Sequence, residues 1–361
     1  MKKTYEQFYK EFGFTPVFDN EDKLHQLEAW CHEHISRDLH AQGPSSEKYK
    51  YYLALVNDYL DTFLKHVTSN VSDNSVVFDG MTPIGYTAWK GYDRFIEAQP
   101  ADVALDKGNA AGMTPLHLAA VKGYVHTVQA LLAKGAKANK INHESQLPIH
   151  SALFIPAIHD ASLMAKKEVI FKALMAQAPT VIDRKDRSGD TVFQLMVVNG
   201  FGVLLSEILK QHPKGALSCN KHSQYPIHTA ILNRRVDMVN LLLAIDKVST
   251  LADSDHRVAL HYAAQYGSKA IVETCCLATL DINIRDQLEK TPLMLAVEAQ
   301  NIEAVEVLIQ QQANVTLVDY RGDSVFQYAE RTGNKDISVL ILAHRPQAMC
   351  EQPDAEGHCP L

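Results

Sequence analysis

Residues 114–120 read TPLHLAA, and Gly123 follows three positions later. Related strings begin at Thr82 (TPIGYTA), Leu147 (LPIHSAL), Thr191 (TVFQLMV) and Tyr225 (YPIHTAI), with three more at Val258, Thr291 and Ser324. The second residue of each string marks a column: Pro83, Pro115, Pro148, Val192, Pro226, Ala259, Pro292 and Val325. Successive intervals are 32, 33, 44, 34, 33, 33 and 33, so the period is 33 and about 11 residues are inserted after the third marker. A fixed period of this size is the sequence signature of a stacked array.

Other columns keep the same register. Six residues before the marker stand Asn109, Asn142, Asp186, Asn220, Asp253, Asp286 and Asp319, whose side chains can accept from the backbone of a turn just downstream. Four residues after it stand Ala119, Ala152, Ala230, Ala263, Ala296 and Ala329, small enough to let neighbouring helices close up; Thr87 and Met196 are the exceptions. Eight residues after it come Gly91, Gly123, Gly200, Gly267 and Gly333, suited to a left-handed residue that ends a helix, with Arg234 and Gln300 departing. A second amphipathic stretch follows each time, as in Val128, Leu131 and Leu132, or Val305, Leu308 and Ile309, where spacings of three and four share one helical face.

Each unit is therefore a turn followed by two antiparallel helices, and the strings TPLHLAA with Gly123 and LPIH with Ala152 closely resemble the ankyrin repeat. The resemblance implies an all-α ankyrin-repeat solenoid of about eight units over residues 76–344, with degenerate first and last units and an insertion near 154–166. That insertion is expected as an extended connection between the helices of the third unit, with Pro156 ending or bending the first of them. Residues 1–75 do not follow the repeat. Tyr49, Tyr52, Leu53, Val56, Leu60, Phe63, Leu64 and Val67 share one helical face, which predicts an N-terminal helical domain, either a cap on the array or a partner-binding module. Residues 345–361, with Pro346, Pro353 and Pro360, are expected to form a flexible tail.

Composition narrows the function. A net charge of -7 disfavours nucleic acid as partner, and 46% hydrophobic residues describe a chain that buries a core. No apolar run approaches the roughly 20 residues a membrane crossing needs, so no membrane insertion is expected. Tyr5, Glu6, Gln7, Lys10 and Glu11 occupy the place of a Sec-type apolar stretch, and six cysteines without framework spacing fit a reducing, cytoplasmic setting. Phosphate-binding GxxxxGK[ST], HExxH, kinase and GxSxG motifs are all absent. Of 17 histidines, His117, His150, His228 and His261 stand two residues after the marker. In ankyrin repeats a histidine there bonds turn backbone and ties neighbouring units. The clusters Cys31, His32, His34 and Cys350, His358, Cys359 lack a convergent fourth ligand, so neither a metal nor another cofactor is expected.

What remains is recognition. The turn tips and the exposed side of each first helix offer Arg187, Lys221, Arg257, Tyr266, Lys290, Tyr320 and Arg321 as candidate partner-binding residues, since binding energy concentrates in Arg and aromatic anchors. Val198 and Leu232 lie on the same helical surface, and Phe154 and Ile155 fall in variable columns near it. The expectation is a non-enzymatic scaffold that holds a protein partner on its concave surface. The alternative is an enzyme with Cys31 at its catalytic site and the repeats selecting substrate. Diverged repeats, a non-repeat front and a short acidic tail resemble ankyrin effectors of the Legionella type. That resemblance implies type IV delivery into the host cytosol, a non-Sec route, and a host-cell protein as partner.

Overall fold

The computed structural model of the protein describes residues 81–99, 103–155 and 160–344. The helical region expected over 1–75, the 345–361 tail, Pro156, Cys31 and both Cys/His clusters lie outside the described residues.

Eight helix pairs follow one another. The first helices are α1 (Pro83–Lys90), α3 (Pro115–Lys122), α5 (Pro148–Leu153), α7 (Val192–Asn199), α9 (Pro226–Leu232), α11 (Ala259–Tyr266), α13 (Pro292–Glu298) and α15 (Val325–Thr332). Their partners are α2 (Asp93–Ala98), α4 (Val125–Ala133), α6 (Ala161–Gln177), α8 (Gly202–Gln211), α10 (Val236–Leu243), α12 (Lys269–Ala278), α14 (Ile302–Gln310) and α16 (Lys335–Ala343). No strand occurs among the described residues, and an isolated antiparallel bridge pairs Val318 with Ser324. The expected all-α solenoid of eight units is what the chain forms.

The repeated strings explain the helix starts. Thr82 and Thr291 have extended backbone, and their hydroxyls accept from the amides of Gly85 (3.1 Å) and Met294 (3.4 Å). Proline at the next position costs nothing, because that N–H would have no partner within the helix. First helices pack on first helices and second on second, which makes two layers. The alanine column lies fully buried between them, as do Thr87 and Met196 at the two exceptional units. Val128, Leu131, Val239, Leu242, Val305 and Leu308 are completely enclosed, each contributing about 1.5–3 kcal/mol of burial. One helix pair could not enclose them alone, so the array is stable only as a stack.

Three features depart from the sequence reading. First, the insertion is partly helix: α5 stops at Leu153, and α6 starts at Ala161 behind Asp160, whose carboxylate accepts from Ser162 N at 2.8 Å. α6 runs 17 residues, against 10 or fewer in every other second helix. Lys167 on it is completely buried and donates to the carbonyls of Ala120 (3.2 Å) and Val121 (2.8 Å), which lie in the last turn of α3 where carbonyls lack helical partners. Burial pulls its pKa down to about 8.

Second, the glycine column is not uniform. Gly91, Gly123, Gly200 and Gly333 are left-handed as expected, but Gly267 has φ -75°. Gly267 is needed for closeness instead, since a Cβ there would stand 2.6 Å from the Ala263 carbonyl oxygen. Arg234 (φ 54°) and Gln300 (φ 55°) keep the left-handed bend without glycine. Third, units three to five end in short 3-10 segments, Pro179–Asp183, Pro213–Leu217 and Val248–Thr250, which the periodicity did not show.

Candidate partner-binding surface

Each turn tip is held by its own Asn or Asp. Asn142 accepts from the amides of Glu144 and Gln146, both at 2.9 Å. Asp253 accepts from Asp255 (2.9 Å) and Arg257 (2.8 Å), and the same pair of bonds forms at Asn109, Asp186, Asn220, Asp286 and Asp319. These side chains fix the tips without help from a partner. Three residues before the marker the chain turns left-handed in seven units, at Gly112, Ser145, Gly189, Ser223, His256, Glu289 and Gly322. Sequence reasoning missed this column, because only three of the seven are glycine.

Two kinds of bond tie one unit to the next. Along the tips, backbone amides of His143, Arg187, Lys221, Gln287 and Tyr320 donate to carbonyls of Ala111, Glu144, Ser188, Asp255 and Leu288 in the preceding unit. Beneath them, His117 Nδ1 accepts from Thr114 N at 3.1 Å while its Nε2 lies 2.9 Å from the Gln146 carbonyl. His150 and His261 repeat this, reaching the carbonyls of Arg184 (3.2 Å) and Lys290 (3.3 Å). Gln194 takes the same place in unit four: its Oε1 accepts from Thr191 N at 2.8 Å and its Nε2 donates to Gln224 O at 2.9 Å. Burial lowers the pKa of all four histidines, His117 and His228 to about 4, so each works as a neutral ring with one donor and one acceptor.

The interface between units five and six lacks both ties. Among the described residues no bond joins Ser254 N to the preceding tip, and the buried Nε2 of His228 has no hydrogen-bond partner. The Leu251 carbonyl is near enough to favour the charged ring but outside hydrogen-bond geometry. In place of the polar ties, the His228 ring stacks on Tyr262 at 4.5 Å and 11°. The Tyr262 hydroxyl donates to Asp253 Oδ2 at 2.6 Å and accepts from Gln224 at 3.4 Å.

The surface above this scaffold changes character along its length. Six residues after the marker the side chains run Trp89, Val121, Phe154, Val198, Leu232, then Gln265, Glu298 and Arg331. Phe154, Val198 and Leu232 are 57%, 44% and 40% exposed at one register position of three consecutive units. Trp89 lies under the ammonium groups of Lys90 and Lys122, each 4.9 Å from its ring. Units one to five thus offer an apolar column and units six to eight a polar one, a division that residue-by-residue reading of Arg and Tyr passed over.

The seven candidate residues fall into two groups. Tyr266 is exposed, Tyr320 and Arg321 stack on each other at 5.1 Å, and Lys221 and Arg187 stand out from the tips, Arg187 with a solvent-facing bridge to Glu144 at 3.1 Å. Arg257 and Lys290 are engaged within the array. Arg257 bridges to the buried Asp286 of the next unit at 3.4 Å. Lys290, 11% exposed, bonds Glu298 at 2.8 Å and covers the Tyr328 ring at 5.1 Å, while Arg331 covers that ring at 4.5 Å and bridges to Asp323 at 2.8 Å. Among the described residues no group of three or more His, Cys, Asp or Glu could hold a metal ion. No described helix is long and apolar enough to cross a membrane.

Comparison with known proteins agrees with this geometry. A family model described as ankyrin repeats (3 copies) matches residues 158–284 and 260–354, and a single ankyrin-repeat model matches 111–143. Ankyrin repeat and KH domain-containing protein mask-1 of Caenorhabditis elegans is 27% identical over 228 residues, 63% of this chain and 8% of that protein. The B-cell lymphoma 3 protein homolog of Mus musculus is 26% identical over 224 residues, 60% of this chain and 49% of that protein. Phosphocholine transferase AnkX of Legionella pneumophila is 31% identical over 109 residues, 29% of this chain and 12% of that protein. The chain thus spans half or less of each of these relatives. The crystal structure of the ankyrin repeat domain of Bcl-3 superposes with a TM-score of 0.54 at 22% identity, over 64% of this chain and 99% of that one.

Proposed function

The chain belongs to the ankyrin-repeat family, and from that premise we propose that it is a protein-binding scaffold whose partner lies along the surface formed by the turn tips and first helices. The apolar column of Phe154, Val198 and Leu232 carries this reading, because three exposed apolar side chains recur at one register position of consecutive units, where a partner lying along the first helices would cover them. Tyr266, Tyr320, Arg321, Arg187 and Lys221 would supply further contacts, while Arg257 and Lys290 would shape the surface from within. The test is a pull-down with Leu232→Asp combined with Tyr266→Ala. Both side chains are exposed, so folding should be kept, and loss of a hot-spot residue typically costs about 2 kcal/mol or more of binding. Partners retained by the parent chain should be lost by the variant. Unchanged capture would place recognition elsewhere.

The partner in this reading is a host-cell protein, and the chain a bacterial effector delivered by a type IV route. Its support is the stretch shared with AnkX of Legionella pneumophila and the acidic, proline-bearing sequence of 345–361. A translocation assay with residues 345–361 deleted tests the delivery signal, and undiminished transfer would remove that segment from the role.

A further inference from the structure

The second-helix layer, on the side away from the tips, is not closed throughout. The second helices of the later units pack directly on their neighbours, but α8 stands off from α6 and touches α10 lightly. A groove of about 860 Å³ opens across these three helices. Its construction can be followed residue by residue. The extra turns of α6 carry Met164, Ala165 and Glu168 to one wall. Gly202, at the start of α8, lets Asp237 and Met238 of α10 approach, since a Cβ there would meet them at 3.2 and 3.6 Å. Met238 is buried as floor, and Val203 stands 77% exposed.

We propose that this groove is a second docking site, independent of the tip surface, for a basic amphipathic α-helix of a partner protein. Length and charge select that occupant. Neighbouring helix axes lie about 8–10 Å apart, so three helices offer roughly 20 Å, or about 13 residues of helix at 1.5 Å rise. Methionine walls adapt to the face of an incoming helix. The lining carries Glu168, Glu207 and Asp237 against Lys210. Lys172 takes Glu207 at 2.7 Å, and the Arg235 guanidinium lies against Gly200 at the edge. Glu168 and Asp237 have no ion pair among the described residues, so two carboxylates are left to meet basic side chains flanking an apolar face.

The test uses the full chain and a fluorescent 15-residue helical peptide with leucine at helical spacing and lysine flanks, beside the same peptide with glutamate flanks. In anisotropy titrations the lysine peptide should bind at least tenfold more tightly. Val203→Asp, at an exposed position, should weaken it about tenfold with an unchanged melting curve, and Glu168→Lys with Asp237→Lys should reverse the preference between the peptides. Leu232→Asp should leave peptide binding intact, which separates failure of this site from failure of the tip surface. Equal binding of both peptides, or binding indifferent to Val203→Asp, would overturn the proposal. So would sedimentation showing that Val203→Asp dissolves a dimer, which would give the groove to a second copy. A chain lacking residues 1–80 that binds the peptide far more tightly would give it to that segment.

Discussion

A buried imidazole that must stay neutral makes stability depend on acidity. His117 and His228 titrate near 4 in the folded chain against an ordinary value of 6.5, so between those limits only the unfolded chain takes up the proton. The share of stability these rings carry is therefore full above pH 6.5 and falls as pH drops toward 4, by on the order of 1.4 kcal/mol per pH unit for each such ring. Melting temperatures should be flat between pH 6.5 and about 8, where buried Lys167 begins to titrate, and descend below pH 6.5. His117→Gln should descend less steeply, because Gln194 already shows that an amide makes the same two bonds without titrating; a variant with the parent's slope would contradict the neutral-ring account. The histidine column was legible in the sequence, since its register assigned it to backbone. Gln194 was not, although it does the same work, and neither was Lys167, because a lysine reads as surface until the carbonyls it meets 46 residues away are known.

At the scale of the turn and the helix end, conformation is kept where residue type is not. His256 (φ 59°) and Gln300 (φ 55°) hold left-handed backbone that costs an L-residue about 1–2 kcal/mol. His256→Gly and Gln300→Gly should each raise stability in denaturant titrations, by about 0.5–1 kcal/mol after the added freedom of the unfolded chain is counted. Gly267→Ala should lower it, because the new methyl would stand 2.6 Å from the Ala263 carbonyl oxygen. A stable Gly267→Ala chain would mean that α11 can shift its last turn. These cases show why helix boundaries were readable and their chemistry less so. The period of 33 located the seven described turn tips, from Asn109 to Asp319. Whether a given glycine serves a positive φ or a close approach depends on what packs over it.

Across the whole molecule, the interface between units five and six is held by stacked rings and a 3.4 Å bond from Gln224 to the Tyr262 hydroxyl. With neither tip bond nor histidine bond between units five and six, those blocks should open separately. Hydrogen exchange should show two protection levels, changing between Leu243 and Asp253; one uniform level across that boundary would contradict this. The surface was less legible than the stack for a related reason. The sequence located the tips and their Arg and Tyr residues, but Arg257 and Lys290 turn inward to Asp286 and Glu298. Phe154, Val198 and Leu232 could be aligned by register, but their exposure needed the packed stack, and the second-helix groove needed the lengthened α6. At four other interfaces the histidines and Gln194 fasten one unit to a main-chain oxygen of the next, at Gln146, Arg184, Gln224 and Lys290. Every amino acid carries that oxygen, so mutation can replace the side chains at these positions without touching the fastening. Descendants of this sequence are thereby free to diverge in what they recognise while inheriting the same stack.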